Sequence, residues 1–190
     1  SGGNIAPYLH LPAQSGSDRV LYRMKRRYDH EGYLGTLARV RRQVPDVAVS
    51  SDFIVGFPGE SEEDFADTLA LVRQARFANV FAFAYSPRRG TASARWGQEK
   101  SVPAPVAADR LSRLLALQEE LQARGNGELV GRTFEVLIEG QDRQGQGRGR
   151  TPCNRIVHVP GAAGLAPGTY ASVRITKGLP NSLMGELSTC

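Results

Sequence analysis

The chain has 190 residues, of which 41% are hydrophobic and 23% charged, and these proportions are typical of a folded globular protein. They exclude a collagen-like, coiled-coil or intrinsically disordered chain. The formal net charge of +5 permits a polyanionic partner but does not identify one. Apolar runs are far shorter than the ~20 residues that span a bilayer, and the first residues lack an apolar signal segment, so we expect a cytoplasmic protein.

The first two thirds of the sequence alternate short apolar runs with helical patterns, which is typical of βα units around a parallel sheet. A strand rich in β-branched residues ends in a Gly-Phe-Pro-Gly turn, and the next residues, Ser61 to Asp64, form a capping-box pattern that begins a helix. The predicted elements are strand 8–11, helix 18–26, helix 33–42, strand 47–55, a helix after residue 61 and strand 80–85.

A long helix and a series of short strands complete the chain. The helix is predicted over residues 106–124, and the run from Gly125 to Gly127 is expected to end it. The short alternating segments that follow predict a small antiparallel barrel or sandwich. Its strands are expected at 133–139, 155–159, 170–176 and 183–187. The predicted architecture is an α/β domain over residues 1–125 and an all-β domain over residues 126–190.

The predicted parallel sheet is too small to be complete. Three parallel strands do not close a barrel, because closure requires at least ~6 to 8 strands. Either a partner supplies the remaining strands, or residues that precede Ser1 are missing from this chain. The start immediately before a strand favours the second explanation.

The loop from His10 to Ser17 lies between a predicted strand and a predicted helix, at the edge where parallel α/β folds bind ligands. Gln14 in this loop has an amide that can donate to and accept from ribose hydroxyls. The simpler interpretation is an ordinary polar loop with Ser17 as the helix N-cap. Composition alone favours that simpler interpretation.

Asp52 lies inside an otherwise apolar strand. Burial of a carboxylate costs several kcal/mol unless the group is paired or hydrogen-bonded. Two hydroxyl groups of a ligand would satisfy this carboxylate. A structural hydrogen bond to Gln14 or to a neighbouring serine would satisfy it equally well, so both explanations stay open.

A basic cluster surrounds the first predicted helix. Most of its members are expected to be solvated, but Arg23 and Arg26 are three residues apart and would share one helix face. A helix packed beside the strand edge would direct one guanidinium, from Arg26 or from Arg23, towards a ligand carboxylate.

A second group of arginines lies on a predicted glycine-rich hairpin loop of the end domain, and loops of small barrels commonly bind oligonucleotides. Phe134 and Tyr170 are the only aromatic residues of this domain, so phosphate contact is favoured over base stacking. The candidate RNA-binding residues are Arg143, Arg148, Arg150 and Arg155.

The cysteines and histidines do not predict a metal site. Cys153 and Cys190 lack the short spacing of a metal-binding motif. His10, His30 and His158 are dispersed along the chain and lack ligand spacing.

Several sequence blocks resemble, in the same order, those of the tRNA methylthiotransferases, which are the MiaB-like radical S-adenosylmethionine (SAM) enzymes. The blocks are residues 10–17, 51–60, 85–91, 149–155 and 180–183. The resemblance implies that residues 1–125 form the last three βα units of a radical SAM barrel and that residues 126–190 form a TRAM domain. The family's CxxxCxxC loop, which holds the cluster that cleaves SAM, would precede Ser1.

The resemblance also implies roles for individual residues. Gln14 and Asp52 would contact the ribose of SAM, and Ile54 with Gly56 would contact the adenine. Arg26 would contact the methionine carboxylate.

The implied reaction is radical insertion of a methylthio group at C2 of an N6-isopentenyladenosine beside the tRNA anticodon. One SAM would yield the 5′-deoxyadenosyl radical and another the methyl group. The intact enzyme would hold two [4Fe–4S] clusters, neither of them ligated by this chain, so the chain alone is expected to be inactive. The expected partners are tRNA and the missing N-terminal part of the polypeptide.

Two alternatives differ in substrate or in class. Relatives of these enzymes methylthiolate a different tRNA adenosine or an aspartate of a ribosomal protein. The block from Arg150 to Arg155 and the basic character of the end domain favour isopentenyladenosine in tRNA. The isolated chain could also serve as a non-catalytic RNA-binding module.

Overall fold

The computed structural model describes residues 6–96 and 100–188, which divide into two compact units. One unit contains His10–Pro45 and Val49–Gln118 and has an α/β architecture. The other contains Asp46–Ala48 and the remaining described residues near both chain ends, and its main element is a β-barrel.

The α/β region is built on a three-stranded sheet of order β1-β2-β3. β2 and β3 are parallel, with Asp52 opposite Phe81 and Ile54 opposite Phe83. The elements are β1 (Tyr8–His10), α1 (Asp18–Arg23), α2 (His30–Gln43), β2 (Ala48–Val55), α3 (Glu62–Ala75), β3 (Asn79–Ala84) and α4 (Ala104–Gly127). The α/β class predicted from the alternating pattern is confirmed.

The ends of the first helices follow from local chemistry. Ser17 caps α1 by accepting a hydrogen bond from the Val20 amide, and the capping box of Ser61 with Asp64 begins α3 as predicted. The prediction that α1 extends to Arg26 is wrong. The helix ends at Arg23 because Lys25 has a positive φ of 60°, a left-handed conformation that does not continue an α-helix.

The core of the α/β unit is aromatic where the sheet meets the helices. The Phe53 ring packs edge-on against Phe77 with 5.8 Å between centroids, and the Phe77 ring lies 6.2 Å from that of Tyr33. Burial of each large apolar side chain contributes about 1.5–3 kcal/mol. Other fully buried side chains of this unit are Leu21, Leu37, Phe65 and Leu71.

The second unit contains a closed five-stranded barrel of order β4-β5-β6-β8-β7. Closure leaves no unpaired strand edge. The strands are β4 (Thr133–Gln141), β5 (Gly147–Arg150), β6 (Ile156–Val159), β7 (Tyr170–Gly178) and β8 (Leu183–Leu187). The predicted barrel is confirmed, but it is not wholly antiparallel, because β6 and β8 pair in parallel. Its interior is filled by Val136, Ile138, Val157, Val159, Val173, Ile175 and Leu183.

One barrel strand, β5, was not predicted. Its sequence Gly-Arg-Gly-Arg lacks the β-branched and aromatic residues that indicate strands. The glycines are nevertheless required inside the barrel. A Cβ on Gly147 would lie 2.7 Å from the Val159 carbonyl oxygen, and a Cβ on Gly149 would lie 2.7 Å from Cγ1 of Val136.

The long helix α4 begins and ends outside its predicted bounds of 106–124. Gly125 and Gly127 lie within its last turn. Glycine destabilises a helix interior through its conformational freedom, but this cost is smaller at a helix end. In the described ranges, no helix is long and apolar enough to cross a membrane.

Replacement of Gly149 with alanine is expected to lower the free energy of unfolding by about 1–3 kcal/mol, because the added methyl group would overpack the barrel interior. Urea denaturation followed by circular dichroism measures this change. Gly164→Ala is the control, since a Cβ there has no atom within 4 Å. Equal stability of the two variants would contradict this explanation of β5.

Candidate functional site

The central strand β2 has two different faces. Ser51, Phe53 and Val55 are buried on one face, whereas Asp52 and Ile54 on the other face are only partly buried. Phe81 and Phe83, opposite Asp52 and Ile54 on β3, are 42% and 56% exposed. The second face is therefore an accessible surface that joins a carboxylate to apolar side chains.

The Asp52 carboxylate already has one partner on this face. Its Oδ2 lies 3.2 Å from Nε2 of His10, and Nδ1 of the same ring lies 2.8 Å from Oγ of Ser50. The sequence predicted a buried, isolated carboxylate at Asp52. The Asp52 side chain is instead 30% exposed. The partner is neither Gln14 nor a serine, and the remaining carboxylate oxygen stays available for a ligand.

His10 is a site residue that sequence reasoning missed. Its ring packs edge-on against Phe81 at 6.1 Å and orients the Asp52 carboxylate. The spacing of Ser50 and Asp52 was an available signal for a polar face of β2, because residues two apart on a strand face the same side, but it did not identify His10 as their partner.

Gln14 extends the edge of the sheet next to Asp52. Its backbone N–H donates to the Asp52 carbonyl at 2.8 Å, and its carbonyl accepts from the Ile54 N–H at 2.9 Å. The residue has a positive φ of 69°. Among residues 6–96 and 100–188, its side-chain amide has no hydrogen-bond partner, and it is therefore free to bind a polar ligand.

Contacts from the helices fix the loop that carries Gln14. The Tyr33 hydroxyl donates to the Leu11 carbonyl at 2.7 Å, and burial raises the pKa of Tyr33 to about 12, so this group remains a donor. The Tyr28 hydroxyl donates to the Pro12 carbonyl at 3.1 Å. On the other side, the Gly16 N–H donates to Oγ1 of Thr68 at 3.0 Å.

Asp64 at the start of α3 joins the segments around this loop through its carboxylate. Its carboxylate accepts from the Ser17 hydroxyl at 2.6 Å, from the Ser61 N–H at 2.7 Å and from the Arg19 guanidinium. Burial alone would raise the pKa of Asp64, but these hydrogen bonds outweigh it and hold the pKa well below the ordinary value.

The Gly56–Glu60 turn follows β2 and closes the same edge. Gly56 has a φ of 70°, and a Cβ on it would lie 2.6 Å from that of Ala107. The Gly56 N–H donates to Glu60 at 2.6 Å, and Arg110 donates to the same carboxylate at 2.8 Å. Burial raises the pKa of Glu60, although Gly56 and Arg110 oppose this shift. The turn is thus held by a buried ion pair.

The structure brings together the predicted contacts Gln14, Asp52, Ile54 and Gly56, which lie on β2 and along its edge. Arg26 is exposed and lies beyond the end of α1. Arg23 and Arg26 therefore do not share a helix face, and that prediction is wrong.

Arg23 instead lies against the Gly56–Glu60 turn. Its guanidinium occupies the space where Gly59 would carry a Cβ, and it stacks over the Trp96 ring at 4.8 Å.

The four predicted RNA-binding arginines differ in their surroundings. Arg148 and Arg150 lie on β5 and not on a loop, which corrects the prediction, whereas Arg143 is exposed in the β4–β5 turn. Arg155 precedes β6 and donates to the side chain of Asn126. Asn126 in turn donates to the Leu179 carbonyl at 2.6 Å, so Arg155 has a structural role in this unit.

In the described part of the chain, no group of three His, Cys, Asp or Glu side chains could hold a metal ion. Cys153 is a free cysteine 3.1 Å from the Thr151 hydroxyl, and Cys190 lies outside the described residues. His158 pairs with Asp142 at 2.9 Å.

Comparison with known families assigns both parts of the chain. Residues 2–72 match the Radical SAM superfamily, and residues 127–188 match the TRAM domain. A solution structure of a conserved protein of Methanococcus maripaludis matches 32% of this chain and 80% of its own. Its sequence identity is 25% and its TM-score 0.27, which is too low to indicate a shared arrangement.

Curated relatives match almost the whole chain. The tRNA-2-methylthio-N(6)-dimethylallyladenosine synthases of Acidothermus cellulolyticus and Kineococcus radiotolerans are 47% and 46% identical over 96% of the chain. The synthase of Tropheryma whipplei is 41% identical over the same share. The chain spans only 37% to 39% of the length of these relatives.

Asp64→Asn is expected to lower the free energy of unfolding at neutral pH by about 2 kcal/mol, because it removes charge-assisted hydrogen bonds. Since the pKa of Asp64 is lowered by folding, its contribution is present above the ordinary value of 3.8 and is lost as the pH falls below it. The stability of Asp64→Asn should therefore depend less on pH below 4 than that of the unmodified chain. Asp67→Asn, at an exposed position of α3, is the control for denaturation measured across this pH range.

Proposed function

The chain belongs to the tRNA methylthiotransferase family of radical SAM proteins, in which it corresponds to the C-terminal part, and on this basis we propose that it is a segment of an enzyme that modifies tRNA. The proposed reaction is methylthiolation at C2 of an N6-dimethylallyladenosine, also called isopentenyladenosine, beside the anticodon. The names of relatives that are 47% and 46% identical to this chain over the aligned residues support this substrate.

The observation that carries the proposal is the position of Gln14 beside Asp52 at one sheet edge, where the Gln14 backbone bonds to the Asp52 carbonyl and to the Ile54 N–H. The Gln14 amide and the second oxygen of Asp52 can bind the two hydroxyls of a ribose. Ile54 supplies an apolar contact for the adenine. Gly56 is proposed from the family resemblance through its backbone, because Ala107 of α4 lies where a Gly56 side chain would be. These groups fit the adenosine part of SAM.

The methionine carboxylate requires a cation. Arg26 is proposed from the family resemblance, and its exposed position leaves it available. Arg23 is the alternative, because its guanidinium already lies against the turn that begins at Gly56. Of the two, Arg23 has the support of geometry.

The iron–sulfur clusters of the whole enzyme would supply the electron that cleaves SAM. We propose two [4Fe–4S] clusters whose ligands lie in the remaining part of the polypeptide. This chain has only two cysteines, and [4Fe–4S] clusters are held mainly by cysteine thiolates. The residues of this chain would bind and orient SAM and would be inactive without the rest of the enzyme.

The exposed face of the sheet supports a missing N-terminal part. Phe81 and Phe83 are large apolar side chains on this face, and further barrel strands of the same polypeptide would cover it. The proposed domains are residues 1–125 for the barrel segment and residues 126–190 for the TRAM domain. A cytoplasmic location, where tRNA is modified, follows from this proposal.

The TRAM domain would bind the tRNA through Arg143, Arg148, Arg150 and Arg155. Arg143 and Arg148 are the strongest candidates for phosphate contact, because neither has an acidic partner among residues 6–96 and 100–188. Arg150 is paired with Glu139 at 2.9 Å, which reduces its free charge.

In the full-length enzyme, Asp52→Asn is expected to raise the dissociation constant of SAM about tenfold or more, because charged hydrogen bonds to the ribose are lost. Equilibrium dialysis with labelled SAM measures this constant. Asp67→Asn controls for the loss of a negative charge. An unchanged constant in a correctly folded Asp52→Asn enzyme would exclude the proposed ribose contact.

Substitution of both Arg143 and Arg148 with alanine is expected to weaken binding of an anticodon stem-loop RNA to the 190-residue chain. Each lost phosphate contact should reduce the slope of log affinity against log salt concentration by about 0.7–0.9. Arg73→Ala, at an exposed position of α3, is the matched control and should leave the slope unchanged. A slope unaffected by the double substitution would argue against this RNA surface.

A further inference from the structure

The outer surface of the barrel carries a row of side chains that crosses four strands. Leu137 on β4 lies opposite Tyr170 on β7 and opposite Arg150 on β5, and Arg150 lies opposite Ile156 on β6. The interior positions of these strands alternate with them, so the four side chains project from the outer surface. We call this set the Tyr170 row.

The Tyr170 row is unusually apolar for the outside of a small barrel. The side chain of Tyr170 is 63% exposed, and Leu137 and Ile156 are only partly buried. Opposite residues on neighbouring strands are about 5 Å apart, so Tyr170 and Leu137 form one continuous surface. The whole row extends about 15 Å, since it spans three inter-strand distances of roughly 4.8 Å. That length accommodates a nucleobase with its sugar.

The charges around the row favour a polyanionic partner over an apolar protein segment. Arg148 lies two residues from Arg150 on β5 and faces the same side, and Arg143 lies in the turn before it. Two acids of β4 flank the row: Glu139 is paired with Arg150, and Glu135 is exposed opposite Ser172. Arg150 also donates to Asn154 at 3.0 Å, so its guanidinium is held in a fixed position.

We propose that an unpaired RNA base stacks on Tyr170 and Leu137 while the adjoining phosphates contact Arg148 and Arg143. Every base has a π-face, so aromatic stacking binds single-stranded RNA without requiring a sequence. This inference rests on the proposed role of the barrel in binding tRNA. It adds base stacking to the phosphate contact that the sequence favoured, because the strand register places Tyr170 on the same outer surface as the arginines of β5, with β4 between them.

The test uses the 190-residue chain and an anticodon stem-loop RNA with 2-aminopurine in its loop. Tyr170→Ala is expected to weaken binding about tenfold while the salt dependence of the affinity stays the same, because stacking is lost but no phosphate contact is. Tyr170→Phe should retain the affinity, since the ring remains. Ser172→Ala, at an exposed position of the same strand, is the control. The unmodified chain should quench 2-aminopurine fluorescence on binding, and Tyr170→Ala should not.

The outcomes separate this inference from the proposed function. If the unmodified chain binds the RNA with the expected salt dependence but Tyr170→Ala binds equally well, the stacking role is refuted and the RNA-binding role stands. If Tyr170→Ala reduces the salt slope, the residue acts through the charged surface and the inference is wrong. If the unmodified chain does not bind the RNA, both proposals fail.

Discussion

The site at the edge of the parallel sheet depends on the carboxylate of Asp64. This single group accepts hydrogen bonds from Ser17 and Arg19 at the start of α1 and from Ser61 at the start of α3. It therefore joins the two loops that follow β1 and β2. Because the loop is held there, Gln14 reaches the backbone of β2 and keeps its amide free. A buried carboxylate that is fully hydrogen-bonded makes such a junction rigid.

Both units use glycine where another segment approaches closely. In the α/β unit, Gly56 adopts a left-handed conformation that turns the chain after β2 and lets Ala107 of α4 pack against it. In the barrel, Gly147 and Gly149 leave space for the backbone and core side chains that would otherwise collide with β5. Glycine thus lets α4 pack against the turn after β2, and it lets the narrow barrel close around β5.

Arginines that look alike in the sequence have different roles in the structure. Arg155 is joined to Asn126 and stabilises the barrel unit, and Arg150 is joined to Glu139. Arg143 and Arg148 keep their charge available. The number of arginines in the barrel unit therefore overstates the positive charge that is free to bind RNA. The physical reason is that a guanidinium engaged with a local acceptor has fewer donors left for a phosphate.

The sequence by itself determined the α/β and barrel classes, the capping box at Ser61 and the identity of Gln14, Asp52 and Gly56 as candidates, because these depend on local pattern and motif. It did not determine the end of α1, the existence of β5 or the partner of Asp52. The existence of β5 and the partner of Asp52 depend on contacts between distant segments, whereas α1 ends where Lys25 adopts a left-handed backbone conformation. His10 meets Asp52 only because strand register aligns residues 42 positions apart, and no local pattern encodes that register.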